Sequence, residues 1–239
     1  MAKGSVDLDY SYLDKNLELV KSQLKKAAEE CGRNPDDVLL MPAVKYADAQ
    51  EINYLHTRLG VNDVGENRVQ QLLERWDKLE RDGLRVHFIG SLQTNKVKYI
   101  IDKVCLIHSL DSERLAAEID KQAKKHGLVM DVLVEVNSGQ EESKGGIEPQ
   151  HVESFCNIIS KYEGIRLCGF MTMAPRCEDK TMYNKYFSQT RELCANIWYN
   201  KLKKTEPPII SMGMSDSFEQ AVTEGSTLIR VGSLLFRKI

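Results

Sequence analysis

The sequence has little that would tie it to a polymer, a membrane or a metal. Its 33 Lys and Arg stand against 35 Asp and Glu, a formal charge of −2. No basic excess is left for a phosphate backbone, so nucleic-acid binding is not expected. No apolar run is long enough to cross a bilayer. Met1-Ala2-Lys3-Gly4-Ser5 has one basic residue with no apolar stretch behind it, which is not a secretory signal. The expectation is a cytoplasmic chain without a membrane partner. Cys31, Cys105, Cys156, Cys168, Cys177 and Cys194 form no C-x-x-C pair and mostly fall in apolar segments. That reads as reduced, buried thiols rather than disulfides or zinc ligands. His56, His87, His108, His126 and His151 show no ligand spacing, so no metal is expected. Pro/Gly/Ser-rich linkers, low-complexity segments and repeats are also missing. With 239 residues and 42% hydrophobic content, one globular domain over residues 1–239 is the economical reading.

What is present is alternation. The segment from Val6 to Cys31 carries Leu13, Leu17, Val20 and Leu24 at helical steps, and Gly32 and Asn34-Pro35 end it. This is an extra N-terminal helix, with the main fold spanning Asp36 to Phe236. Short apolar runs follow at Val38–Val44, Asn62–Gly65, Val86–Ile89, Val104–Ser109, Met130–Val136, Ile165–Met173, Ile209–Met212 and Thr227–Val231. Between them lie amphipathic stretches at Ala49–Leu59, Val69–Glu80, Ser112–Lys125, Gln150–Tyr162, Met182–Trp198 and Phe218–Glu224, with a shorter one at Thr94–Ile101. Strands that read as continuous Val/Ile/Leu runs are buried on both faces, and strand–helix alternation implies parallel pairing. About eight such units predict an α/β fold of the (β/α)8 TIM-barrel type, with a doubly wound sheet as the alternative.

In such barrels the site forms where the strands end. The first run ends in Val44-Lys45, a lysine whose stem sits among apolar residues, where desolvation makes an amine a usable nucleophile toward a carbonyl; a lysine reaching to the rim is the alternative. Asn67 follows the second run as a ligand residue or as a helix cap. His87 reads as a satisfied core histidine, and Gly90 as a point of close backbone approach to a ligand. The fifth run ends in Glu135-Val136-Asn137, and the loop through Lys144-Gly145-Gly146 is a candidate lid. The seventh and eighth end in Gly213-Met214-Ser215-Asp216 and Arg230-Val231-Gly232-Ser233. Glycines expose backbone N–H groups and serines donate to phosphate oxygens, so these turns suit a phosphate. Arg230 needs an acceptor, and an ion pair with Asp216 or Glu66 would be an ordinary one. An imine-forming lysine with a phosphate cup nearby fits pyridoxal 5′-phosphate (PLP); a sugar-phosphate aldehyde competes.

Pro42-Ala43-Val44-Lys45, Gly65-Glu66-Asn67-Arg68-Val69-Gln70, His87-Phe88-Ile89-Gly90-Ser91-Leu92-Gln93-Thr94-Asn95-Lys96, Lys144-Gly145-Gly146-Ile147, Gly213-Met214-Ser215-Asp216 and Arg230-Val231-Gly232 occur in that order. Together they resemble the YggS/PROSC-type PLP homeostasis proteins, over almost the whole chain. The resemblance implies a barrel similar to the N-terminal domain of alanine racemase. By position it implies Lys45 as the Schiff-base lysine, Arg230 facing the pyridine nitrogen, Ser215, Gly232 and Ser233 in the phosphate cup, and Asn67 near the cofactor. Where the family commonly has Ser before the lysine and Thr-Lys-Pro after it, this chain has Val44 and Tyr46-Ala47-Asp48.

An arginine at the pyridine nitrogen disfavours ring protonation and weakens the ring as an electron sink. The racemases also draw a tyrosine from a second domain, and no such domain follows here. The expectation is a monomeric PLP carrier of intracellular homeostasis, with client apo-enzymes as partners. A weak amino-acid racemase is the alternative. A lysine aldolase using Glu66 as its acid/base group is a third reading.

Overall fold

The structure, a computed structural model, describes residues 9–139 and 145–238. The strands are β1 (Leu39–Pro42), β2 (Asp63–Glu66), β3 (Arg85–Phe88), β4 (Leu106–Leu110), β5 (Met130–Val136), β6 (Ile165–Thr172), β7 (Ile209–Ser211) and β8 (Leu228–Val231). They form one parallel sheet in the order β1-β8-β7-β6-β5-β4-β3-β2. Its two ends meet in a single parallel bridge, Ala43 to Gly65, so the sheet closes on itself. The (β/α)8 barrel is therefore the fold, and the open doubly wound sheet is excluded.

Helices α2 (Ala49–Thr57), α3 (Val69–Arg75), α4 (Glu113–Lys125), α5 (Val152–Ile159), α6 (Thr181–Ala195) and α7 (Phe218–Thr223) surround the barrel. The stretch after β3 forms only 3-10 turns, Thr94–Tyr99. Local chemistry sets the helix starts. Asp48 and Glu51 form a reciprocal capping box at α2, and Ser112 caps α4. The main core lies between strands and helices and includes Ile52, Leu72, Phe88, Ile107, Val132, Phe170 and Phe187.

The N-terminal helix α1 (Ser11–Glu30) begins later than the Val6 expected; residues 6–8 lie outside the described residues. Leu13, Leu17, Val20 and Leu24 are buried as their spacing predicts, packed with Phe218, Val222, Ile229, Val231 and Leu235. Each such burial stabilises by about 1.5–3 kcal/mol. Asn16 fastens the end of the chain, its Nδ2 donating to the carbonyls of Leu235 (2.9 Å) and Arg237 (3.0 Å).

The cysteine expectation needs correction. Cys156 and Cys194 are buried and Cys168 and Cys177 partly so, but Cys31 and Cys105 are exposed. Cys31 ends α1 beyond its apolar stripe, and Cys105 precedes β4 in a loop. Among the described residues, no helix is long and apolar enough to cross a membrane.

Candidate functional site

Strand register brings the sequence-predicted residues to one end of the barrel. The Ala43–Gly65 bridge brings together the two segments that lead into Lys45 and Asn67, each two residues further along the chain. Pro42 pairs with Val231, so Gly232 follows beside Ala43. The Arg230 amide donates to the Gly213 carbonyl at 3.1 Å, which draws the β7 and β8 turns together.

Lys45 is not the last residue of a strand. The ladder stops at Pro42, and Val44–Tyr46 make a 3-10 turn. Arg75 of α3 braces that turn, its Nη1 donating to the carbonyls of Val44 (3.0 Å) and Ala47 (2.9 Å). Gln71 reaches the Lys45 carbonyl at 3.4 Å. Lys45 is half-buried, and its Nζ lies 4.9 Å from the ring centre of exposed Tyr46. Arg75 also stands 3.2 Å from Glu66 Oε1. Glu66 is 1% exposed, so it is no rim carboxylate. Burial, opposed by the Arg75 charge, pushes its carboxyl up to about 7.

Asn67 does not cap α3, whose first turn receives no side-chain hydrogen bond. Its Oδ1 is buried without a hydrogen-bond partner. Gly90 answers a different need from the one expected: a Cβ there would lie 2.0 Å from the Asn67 carbonyl oxygen, so it admits the protein's own backbone rather than a ligand. On the far side, Ser215 Oγ accepts from the amides of Gly232 (3.2 Å) and Leu234 (3.3 Å). Those two N–H groups converge on one point beside a hydroxyl. Gly213, at φ +93° and packed against Ala221 and Phe218, makes the turn that a side chain would block. Ser233 is exposed at the rim next to Gly232.

Arg230 is 4% exposed and pairs with neither Asp216 nor Glu66. Its Nη1 donates to Ser211 Oγ (2.7 Å) and its Nη2 to the Thr172 carbonyl (3.0 Å). Burial lowers its pKa to about 10, against the pull of Glu135. Glu135 is itself raised to about 7 by burial and then by Asp111, with Arg230 opposing. Asp111 is raised by burial. Both carboxyls lie beneath Gly145, whose Cβ would be 3.5 Å from Asp111 Oδ2 and 4.0 Å from Glu135 Oε1. The candidate lid at Lys144 lies outside the described residues.

The lumen holds residues that strand-end reasoning missed. His87 Nε2 lies 2.9 Å from Asp63 Oδ1, His87 Nδ1 lies 3.0 Å from His108 Nε2, and His108 Nδ1 lies 3.0 Å from Ser211 Oγ. The last contact joins β4 to β7, which are not neighbours in the sheet, so it crosses the barrel interior. His87 is the satisfied core histidine expected, but it belongs to a chain that ends on Arg230.

The sequence profile of the alanine racemase N-terminal domain matches residues 15–238. A pyridoxal phosphate homeostasis protein from Aquifex aeolicus is 41% identical over 220 residues, covering 92% of this chain and 95% of that protein. The chain belongs to this family. Its Escherichia coli K12 member, also a pyridoxal phosphate homeostasis protein, is 31% identical over 227 residues, covering 92% of this chain and 94% of that one. Among solved structures, PipY of Synechococcus elongatus with PLP bound superposes with a TM-score of 0.82 at 27% identity, covering 94% of this chain and all of PipY. An alanine racemase from Clostridium difficile shares the fold at a TM-score of 0.72 and 19% identity; this family member spans 60% of its length.

Proposed function

We propose that the protein binds PLP as a Schiff base on Lys45 and serves intracellular PLP homeostasis. The observation that carries this reading is the donor set at one barrel mouth. It comprises an amine on a fixed turn, a buried arginine with N–H donors to spare, a buried amide oxygen without a partner on Asn67, and two backbone N–H groups converging beside Ser215. These match an aldehyde, a pyridine nitrogen, a ring hydroxyl and a phosphate. PLP, when bound, supplies an electron sink. The protein's residues hold it: Lys45 fixes the aldehyde carbon, Ser215, Gly232 and Ser233 hold the phosphate, Asn67 Oδ1 accepts from the ring hydroxyl, and Arg230 faces the ring nitrogen as a donor that keeps it unprotonated.

The names of the relatives and PLP in PipY support the reading. Carrier rather than racemase is favoured by the names of these relatives, since an arginine at the ring nitrogen is compatible with either. On this reading the protein is a cytoplasmic monomer that serves client apo-enzymes, and the exposed thiols of Cys31 and Cys105 suit a reducing compartment. Borohydride reduction of the PLP-loaded protein and peptide mapping tests the core claim. The reduced adduct is expected on Lys45 and absent in Lys45→Ala; an adduct elsewhere, or retained in that variant, refutes it.

A further inference from the structure

The hydroxyl of Ser211 decides the direction of the lumen chain. Ser211 is fully buried, and among the described residues its Oγ has two hydrogen-bond partners, Arg230 Nη1 and His108 Nδ1. Arginine only donates, so the hydroxyl hydrogen must go to His108 or be stranded in the interior. His108 Nδ1 is then an acceptor, and its proton sits on Nε2. That N–H donates to His87 Nδ1, which leaves His87 Nε2–H to donate to Asp63. Asp63 closes the chain as a carboxylate that only accepts. Burial opposes its ionisation, but hydrogen bonds from His87 and Arg85 outweigh burial and hold its pKa below the usual value. Arg85 grips it with two bonds, at 2.8 and 2.6 Å. Burial, then His87 and Arg230, drive the His108 pKa well below 6.5, in keeping with a neutral ring.

We infer that Ser211, His108, His87 and Asp63 are positioning residues that orient Arg230 toward the ring nitrogen of the bound cofactor through one unidirectional hydrogen-bond chain. The inference rests on the reading that PLP is the ligand. The chain is needed because a long buried side chain held only by the Thr172 carbonyl could swing about that contact. A second anchor at Nη1 fixes the guanidinium plane and leaves its other N–H groups aimed at one place. The buried anion of Asp63, at the far end, polarises each link in the same sense.

Two measurements test it. In the PLP-free full-length protein, ¹⁵N-edited NMR of the histidine rings is expected to show His87 and His108 both protonated on Nε2 alone near neutral pH. A proton on His108 Nδ1 overturns the chain. In the PLP-loaded protein, Ser211→Ala is expected to keep the Lys45 adduct, shift its visible absorbance band and weaken PLP binding roughly tenfold. Ser211→Thr, which keeps the hydroxyl, is expected to restore both. A Ser211→Ala protein with the wild-type band and affinity overturns the inference, whatever the tautomers. If wild type forms no Lys45 adduct, the PLP reading fails, and the NMR still judges the chain.

Discussion

Ser215 shows how a single side chain can serve two turns. Its hydroxyl oxygen gathers the amides of Gly232 and Leu234, which leaves its own O–H to donate to a phosphate oxygen beside them. Ser215→Ala and Ser233→Ala should therefore weaken PLP more than pyridoxal, which lacks the phosphate, by roughly tenfold each. Equal losses for the two ligands in parallel titrations would remove these serines from the cup. The residues nearest the rim were legible because glycine, serine and a lone arginine at strand ends have few structural uses there. Ser211, His108 and Asp63 were not, because each is an ordinary residue on its own strand. Their meaning lies in contacts across the lumen, which periodicity does not encode. Glu66 could not be placed from the sequence for a similar reason: only the fold shows that it is buried against Arg75.

At the scale of elements, α3 holds the turn that carries Lys45. Arg75→Leu removes the donors to Val44 and Ala47 and leaves Glu66 buried beside no cation. A loss of about 3–5 kcal/mol is expected for a buried pair broken on one side, read from urea midpoints, with PLP affinity falling as the turn loosens. Glu66→Gln, which leaves Arg75 its hydrogen bonds to the carbonyls of Gln71, Val44 and Ala47, should cost clearly less. Equal costs would show that the ion pair, and not the carbonyl contacts, carries the effect. The strands themselves were well read: β5 runs from Met130 to Val136, the bounds expected. The helices were read less exactly at their C-terminal ends. The stretch expected to run to Trp198 passes from α-helix into a π-helical turn at Asn196–Lys201. The apolar stripe continues into that turn through Ile197 and Trp198, and periodicity does not separate the two.

Across the whole molecule, buried carboxyls tie stability to pH. Glu66 and Glu135 each move from 4.5 to about 7 in the fold. The folded state therefore holds these protons more tightly than the unfolded chain. Their stabilisation is fully present below pH 4.5 and is lost as pH rises through about 7. The displacement corresponds to roughly 3 kcal/mol for each group. Comparing urea midpoints across that window, Glu135→Gln should lose its share of the decline and be more stable than wild type at the upper end. Parallel pH curves for the two proteins would place Glu135 in a more polar setting than its burial indicates.

The joint between α3 and the turn that carries Lys45 is made on one side from main-chain carbonyls, those of Val44 and Ala47. A carbonyl is the same for every amino acid, so the joint is blind to the side chains that flank Lys45. The family pattern of Ser before the lysine and Thr-Lys-Pro after it gives way here to Val44 and Tyr46-Ala47-Asp48, and the turn is held all the same. Evolution can thus rewrite the surroundings of the amine without relocating it: Lys45 is a fixed post in an exchangeable setting, and the ring of Tyr46 is one version of that setting.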